Sequence, residues 1–598
     1  MLTSLRWRQS LVIGLVVFFL GGCSALSLTL EGDTHQTEPT LEIPMIDSFV
    51  ITEIQINQTN YQPGDTVSVT VGLEVQSEDN FLVQMQAVVK HLVNEIEVIE
   101  RKLEVPSGIT SFEISYTPPP NAPRGYGMDI CLSLEDGTQL ACESIAFDVL
   151  DHWTQTPRYG FLVDFSPNKT DIDETIAALS RYHINGLQFY DWMYRHDQFL
   201  PKEDPFRDPL GRLLSLKTVK ELITAAHVYN IAAMPYTAIY ASSDAFYQDH
   251  KEWALYQANG EPFRLGDNFL VYMDPRPDSP WVTHLMDQFN QVLNETEFDG
   301  IHLDQYGDPK AAQDARGLSF ALDEPIAASI NLTKQLALTH NSNHAVIFNA
   351  VNNWPIEAVA PSEQDFVYIE VWPPHIWYQD LHNLIVNAQV LGEGKPVVLA
   401  AYIDPEFEHT ARLLNAVIFA SGGGHIELGE RNAMLADPYF PNFKVMSPEL
   451  AAAMEYYYDF TVRYQDVIGP RTLDAKGEIK VSVEGAATEP KLQKNKVWPI
   501  LRKGEGFLAV NLINFLDINS PVWTEEISSP PRELGITKVT IRNLSQHVER
   551  IWFATPDQSN VSATQLQFSE FEDEKGIGVT IQIPSLAYWG LIVIEWSN

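Results

Sequence analysis

Cysteine is nearly absent from this chain of 598 residues, which carries three: Cys23, Cys131 and Cys142. So few exclude a disulfide-built scaffold and a cysteine-ligated metal centre. Cationic side chains are scarce too. Lys and Arg total 39 against 79 Asp and Glu, a net charge of −40 spread along the chain instead of gathered in a tail. Such a field repels phosphate backbones, so nucleic acid is not expected as a partner and the charge reads as solubility in an exposed setting. No glycine-rich dinucleotide loop occurs. His183, His227 and His425 each stand without a second histidine one helical turn away, so they read as capped or core histidines. Neither a catalytic metal nor a cofactor is expected.

What is present is material for several cores. Hydrophobic residues make up 45% and aromatic residues 11% of a length that gives a prior of about four domains. At the N-terminus Arg6 and Arg8 precede the ten-residue apolar run 11–20, and Leu20-Gly21-Gly22-Cys23 follows. Ten apolar residues are short for a membrane span and read as a cleaved signal over residues 1–22. The last four resemble a bacterial lipobox, with Cys23 as the lipidated first residue of an exported protein held at a membrane surface. Residues 23–44, rich in Ser, Thr, Glu and Pro, read as a flexible tether. Export makes the other cysteines interpretable. A two-residue turn at Asp136-Gly137 pairs 135 with 138 and hence Cys131 with Cys142, within disulfide range.

Three regions follow. Residues 45–152 alternate polar and apolar, as in Val67-Ser68-Val69-Thr70-Val71, with turns at sandwich spacing, which predicts an immunoglobulin-like β-sandwich. From 153 to 468 short apolar strands alternate with helices. Eight strands are expected near 159–165, 186–192, 232–239, 300–306, 345–351, 366–372, 396–403 and 425–429, which predicts a (β/α)8 TIM barrel. Residues 469–598 return to strands and predict a second β-sandwich. The fold class is thus multidomain α/β plus β.

In such a barrel the strand ends carry the chemistry. The fourth strand ends in Asp304, with His302 on the same face, and the sixth in Glu370, flanked by Tyr368 and Trp372. A carboxylate among apolar strand residues is costly unless paired or functional, and two on facing strands suggest glycoside hydrolysis. Tyr190, Trp192, Trp372 and Tyr402 would supply aromatic faces for sugar rings. Asp323-Glu324-Pro325 reads as a helix start and Asp299-Gly300 as a turn.

In order along the chain stand His183-Ile184-Asn185-Gly186-Leu187-Gln188-Phe189-Tyr190-Asp191-Trp192, Phe298-Asp299-Gly300-Ile301-His302-Leu303-Asp304-Gln305, Asn349-Ala350-Val351-Asn352, Glu370-Val371-Trp372, Ala400-Ala401-Tyr402 and Gly423-Gly424-His425-Ile426-Glu427-Leu428-Gly429-Glu430. This run resembles glycoside hydrolase family 66, the endo-dextranases and the cycloisomaltooligosaccharide glucanotransferases. The resemblance implies a retaining mechanism on α-1,6-linked glucans, with Asp304 as nucleophile and Glu370 as acid/base. The substrate-binding set expected with them is Tyr190, Asp191, Trp192, His302, Gln305, Asn349, Trp372, Tyr402 and Glu427. Members that form cyclic products carry a carbohydrate-binding module inserted in the barrel, and the short stretch between Tyr402 and Thr410 leaves no room for one, which favours hydrolysis. Arg431-Asn432-Ala433-Met434 departs from the family's histidine-containing continuation. Transglycosylation and noncatalytic glycan binding are the alternatives, and the sequence gives no oligomeric state.

Overall fold

The computed structural model describes residues 46–597 apart from positions 79, 267, 268, 476, 478 and 575. The expected signal segment, Cys23 and the tether lie outside these residues. From Ile46 onward the chain forms one compact unit. Among the described residues no helix is long and apolar enough to cross a membrane.

Seven strands open the described chain. Ile46–Ile56, Val67–Ser77 and Gly108–Tyr116 make one antiparallel sheet; Asn94–Val105, Phe81–His91, Arg124–Ser133 and Gln139–Val149 make another, in that spatial order. Along Val67–Ser77 the odd positions Val67, Val69, Val71, Leu73 and Val75 are buried, and they share one core with Val83, Met85, Ala87 and Val89 of the other sheet. Each such side chain contributes about 1.5–3 kcal/mol. Cys131 and Cys142 are register partners and disulfide-bonded. The hairpin between them differs from the expected two-residue turn. Leu134 pairs with Thr138 across a three-residue loop, in which Gly137 adopts φ 88° and Asp136 accepts from the Thr138 amide. A bulge between Leu132 and Ser133 undoes the one-residue slip and returns the cysteines to register.

The central region holds short parallel strands buried on both faces: β1 (Tyr159–Leu162), β2 (Gly186–Phe189), β3 (Ala232–Ala238), β4 (Gly300–Asp304), β5 (Ala345–Asn349), β6 (Val367–Glu370) and β7 (Val397–Ala400). They pair in sequence order. Continuous Val, Ile, Leu and Ala runs suit this two-sided burial. The segment 424–429 touches both ends of the curled sheet, pairing with β7 through Leu399 and His425 and with β1 through Phe161 and Gly429. Intervening helices start at side-chain caps: Ser215 on Thr218, Ser279 on Val282 ahead of Pro280, and Ser447 on Leu450 ahead of Pro448. Asp323 and Glu324 occupy the first turn of the helix Asp323–His340. Asp299 sits at the N-terminal end of β4, where it accepts from His227 and from the Ala233 amide. Next to it a Cβ on Gly300 would lie 1.9 Å from the Ala345 carbonyl oxygen, so only glycine lets β4 approach β5.

Beyond 469 two antiparallel sheets share a further core that includes Leu508, Val510, Val539, Ile541 and Ile592. Charged side chains bind the regions together. Buried Arg158 grips Asp148 with two guanidinium nitrogens at 2.8 and 3.2 Å. Arg463, fully buried on the helix Pro448–Arg463, pairs with Asp129 at 2.7 Å, and Ser562 donates to the same carboxylate. Gly127 makes room for that guanidinium, since a Cβ there would lie 2.2 Å from Arg463 Cζ. Burial by itself would raise the Asp129 pKa, but Arg463 and the other donors outweigh it and hold the group at about 2. The sign is that of a depressed carboxylate: the stabilisation is complete above the ordinary value of 3.8 and is lost as pH falls through about 2. Arg463→Ala is therefore expected to cost on the order of 3 kcal/mol at pH 7, read as a lowered urea midpoint. The deficit relative to the unaltered protein should shrink below pH 4, and a pH-independent deficit would contradict the ion-pair account.

Candidate active site

Three adjacent strands set the site. Their registers match Leu303 with Phe348, Phe348 with Val367, and Asn349 with Tyr368, so the C-terminal ends of β4, β5 and β6 lie side by side. Asp304 ends β4, Asn349 ends β5 and Glu370 ends β6. Asn349 Nδ2 donates to Asp304 Oδ1 at 2.7 Å and to Glu370 Oε2 at 2.9 Å. One nitrogen thus reaches both carboxylates, and with the roughly 120° spread of ideal amide hydrogens the two oxygens would stand about 5 Å apart. Tyr236 donates to Asp304 Oδ2 and Tyr402 to Glu370 Oε1, each at 2.6 Å. Burial raises the Asp304 carboxyl above the ordinary range, and the charge of Glu370 raises it further. Glu370 is raised by burial, against the pull of Tyr402 and Asn349. Two like charges this close cannot both ionise freely, so the two carboxyls titrate as a coupled pair.

The carboxylates open into a cavity of about 630 Å³ lined by Tyr190, Tyr236, Tyr306, Tyr368, Trp372, Tyr402, Tyr439 and Phe440 among others. Tyr190 stacks on Phe440 with ring centroids 4.3 Å apart and meets Tyr236 at 4.9 Å. Trp372 is 37% exposed and stands edge-on to Tyr402. Of the expected substrate-binding residues, Tyr190, Gln305, Asn349, Trp372 and Tyr402 line this cavity. Asp191 lies beside it at φ 51°, its carboxylate 3.7 Å from Arg212. Burial pushes that carboxyl up to about 7, with Arg212 opposing and Asp208 adding to the rise.

Three expectations are corrected. Trp192 is fully buried, packs on Phe298 and donates its indole N–H to the Tyr236 carbonyl; it is core, because β2 has ended at Phe189 and the chain has turned inward. His302 is 1% exposed and faces Tyr159 from inside the sheet, where burial lowers its pKa to about 3 and keeps it neutral. Glu427 is 0% exposed and takes hydrogen bonds from Asn415 and Tyr458 beside His425. Same-face spacing along a strand does not separate the layer at the cavity from the layer beneath it. Gln305, although it lines the cavity, spends its amide on the loop: it accepts from Tyr240 and the Gly307 amide and donates to the Trp354 carbonyl. Sequence reasoning missed Tyr236, Tyr306, Tyr439 and Phe440. Tyr236 was findable, since it lies near the end of β3 as Tyr190 does for β2, whereas Tyr439 and Phe440 come from a loop without periodicity. Arg431, in the departing stretch, pairs with Asp164 and Asp171. Among the described residues no cluster of His, Cys, Asp or Glu is arranged to hold a metal ion.

The corrections separate two tryptophans. Trp192→Ala should cost about 3–5 kcal/mol of stability as a core truncation. Trp372→Ala should leave the thermal midpoint within about a degree and weaken glycan binding instead, because a large exposed ring has little core to lose. Calorimetry beside a binding titration checks both, and a stability loss at Trp372 equal to that at Trp192 would contradict the placement.

Comparison with known proteins agrees with this geometry. The family model described as glycosyl hydrolase family 66 matches residues 56–593. A cycloisomaltooligosaccharide glucanotransferase of Niallia circulans is 23% identical over 729 residues, covering 96% of this chain and 74% of the relative. A dextranase of Streptococcus salivarius is 23% identical, covering 79% and 67% respectively. Among solved structures, a cycloisomaltooligosaccharide glucanotransferase of Paenibacillus sp. complexed with cycloisomaltoheptaose superposes with a TM-score of 0.84 at 22% identity, over 92% of this chain and all of that one. With the family model matched along nearly its whole described length, the chain belongs to glycosyl hydrolase family 66.

Proposed function

We propose that this protein is an endo-acting, retaining glycoside hydrolase that cleaves α-1,6-glucosidic linkages in dextran or a related α-glucan. The observation that carries the reading is the pair of carboxylates, Asp304 buried and Glu370 nearly so, joined by one amide in the lining of an aromatic-walled cavity. Their spacing of about 5 Å suits double displacement, whereas an inverting pair stands about 6.5–9.5 Å apart to admit water. We read the curled sheet as a closed (β/α)8 barrel over residues 153–468, with an immunoglobulin-like sandwich over 45–152 before it and a β-sandwich over 469–598 after it. Lipid on Cys23 would hold the exported enzyme at a membrane surface, on the strength of the lipobox-like stretch.

Asp304 attacks the anomeric carbon while Glu370 protonates the departing oxygen, giving a β-glucosyl ester. Glu370 then takes a proton from water, which displaces Asp304 and restores the α configuration. Without substrate, Glu370's charge weighs on Asp304, which favours the shared proton there. Positive charge growing at the anomeric carbon in the transition state reverses that preference and holds Asp304 as the anion. Tyr402 can follow the change, since its hydroxyl either donates to Glu370 or accepts from it. The aromatic walls take the apolar faces of sugar rings. Hydrolysis is favoured over transfer to sugar because residues 403–407, between Tyr402 and the helix Glu408–Ala420, leave no space for an inserted glycan-binding module.

Asp304→Asn should abolish turnover of dextran with folding intact. With Glu370→Ala, a glucoside bearing a good leaving group should still form the ester and then stall, and azide should restore turnover and yield the α-glucosyl azide. Formation of the β-azide, or rescue after removal of Glu427 instead, would refute the assignment.

A further inference from the structure

We propose, building on the double-displacement reading, that Asn349 is a positioning residue: its side-chain amide clamps Asp304 and Glu370 at their working separation, and it does not read a sugar hydroxyl. Its strand, β5, lies between the two that carry the acids. Both bonds from Nδ2 end on carboxylate oxygens, at 2.7 and 2.9 Å. The amide cannot be turned round, because Oδ1 in that place would set its lone pairs against both acids. Both N–H groups are thereby spent. On the opposite side, Oδ1 is buried and has no partner. The one group Asn349 has left, Oδ1, is buried away from a ligand entering the cavity, and a buried, unpaired amide oxygen is a cost to the fold that the clamp offsets.

The surroundings leave this role to Asn349. Facing the pair from neighbouring strands are the hydroxyls of Tyr236 and Tyr402, each of which serves one acid only. Tyr190 and Tyr368 also face both acids, and Asp191 is occupied by Arg212. Lys310 lines the outer cavity and lies over the Trp354 ring. Asn349 is thus the group hydrogen-bonded to both carboxylates.

Replacing Asn349 by alanine removes the donor that favours both ionised forms, so both carboxyls should titrate higher. The bell-shaped profile of kcat/KM on dextran should move as a whole to higher pH, kcat should fall by about 10²-fold, and KM should stay within about threefold. Asn349→Asp keeps the shape and supplies a hydrogen only when protonated, so its activity should be lost at neutral pH and recover in part as pH falls. A profile that stays in place while KM rises about tenfold with kcat kept would mark Asn349 as a sugar-binding residue and overturn the clamp. So would an Asn349→Asp variant with the unaltered profile. A readout independent of substrate is the titration of [γ-13C]aspartate, with the Asp304 resonance assigned by its disappearance in Asp304→Asn. It should shift upward in Asn349→Ala whatever glycan is accepted, and an unmoved titration overturns the clamp. Failure of the unaltered enzyme to cleave dextran overturns the substrate reading alone.

Discussion

Two carboxylates held out of water within reach of one amide are the constraint on which the rest of this structure depends. Bringing Asp304 and Glu370 together sets desolvation and mutual repulsion against folding, and nothing in the apolar strands that carry them compensates. Compensation comes from neutral donors, the Asn349 amide and the Tyr236 and Tyr402 hydroxyls, with the Gln305 backbone amide on Asp304 and the Trp372 indole on Glu370. Neutral donors stabilise an anion without fixing it, as a lysine or arginine salt bridge would. Glu370 can therefore give up its proton to a leaving oxygen and regain one from water, the two changes of charge that a double displacement asks of its acid/base.

The scaffold makes that geometry affordable in stability. Parallel strands buried on both faces fix the backbone from which the acids project, and Gly300 lets β4 and β5 approach closely enough for Asp304 to meet Asn349. The C-terminal region supports the loop after Glu370. Trp523 donates to the His375 and Ile376 carbonyls, and the Tyr378 amide donates to Pro521. Asp129 and Asp148, on adjacent strands of the four-stranded sheet near the start of the described chain, tie that sheet to Arg463 and Arg158. Buried ion pairs of this kind add little net stability, but removing one partner strands a charge, so they hold the regions in register.

Much of this was legible in the sequence. Seven of the eight expected strands of the central region are present, each shorter than its apolar run, because the chain turns into a loop as soon as the sheet's hydrogen bonds end; the eighth, 425–429, is reduced to the two-residue pieces Gly424–His425 and Leu428–Gly429. The acids were legible for the same reason: a charge at the end of an apolar run has few explanations. The depth of a side chain was not. Trp192 and His302 sit in the same motifs as the cavity-lining Tyr190 and Asp304, and spacing along a strand gives the face, not whether a neighbour covers it. Loop contributions such as Tyr439 and Phe440 carry no periodic signal, and the register-restoring bulge beside Cys131 depends on a hairpin loop one residue longer than the Asp-Gly pair suggests.

The most direct test of the central claim, that one amide-width between the acids makes this a retaining enzyme for α-1,6-linked glucans, is the anomeric configuration of the first product. Proton NMR of an isomaltooligosaccharide digest, recorded before mutarotation, should show the α-hemiacetal appearing first and the β-anomer only later. Initial release of the β-anomer would mean that water attacks directly and that the carboxylates stand further apart during the reaction than the Asn349 bridge permits.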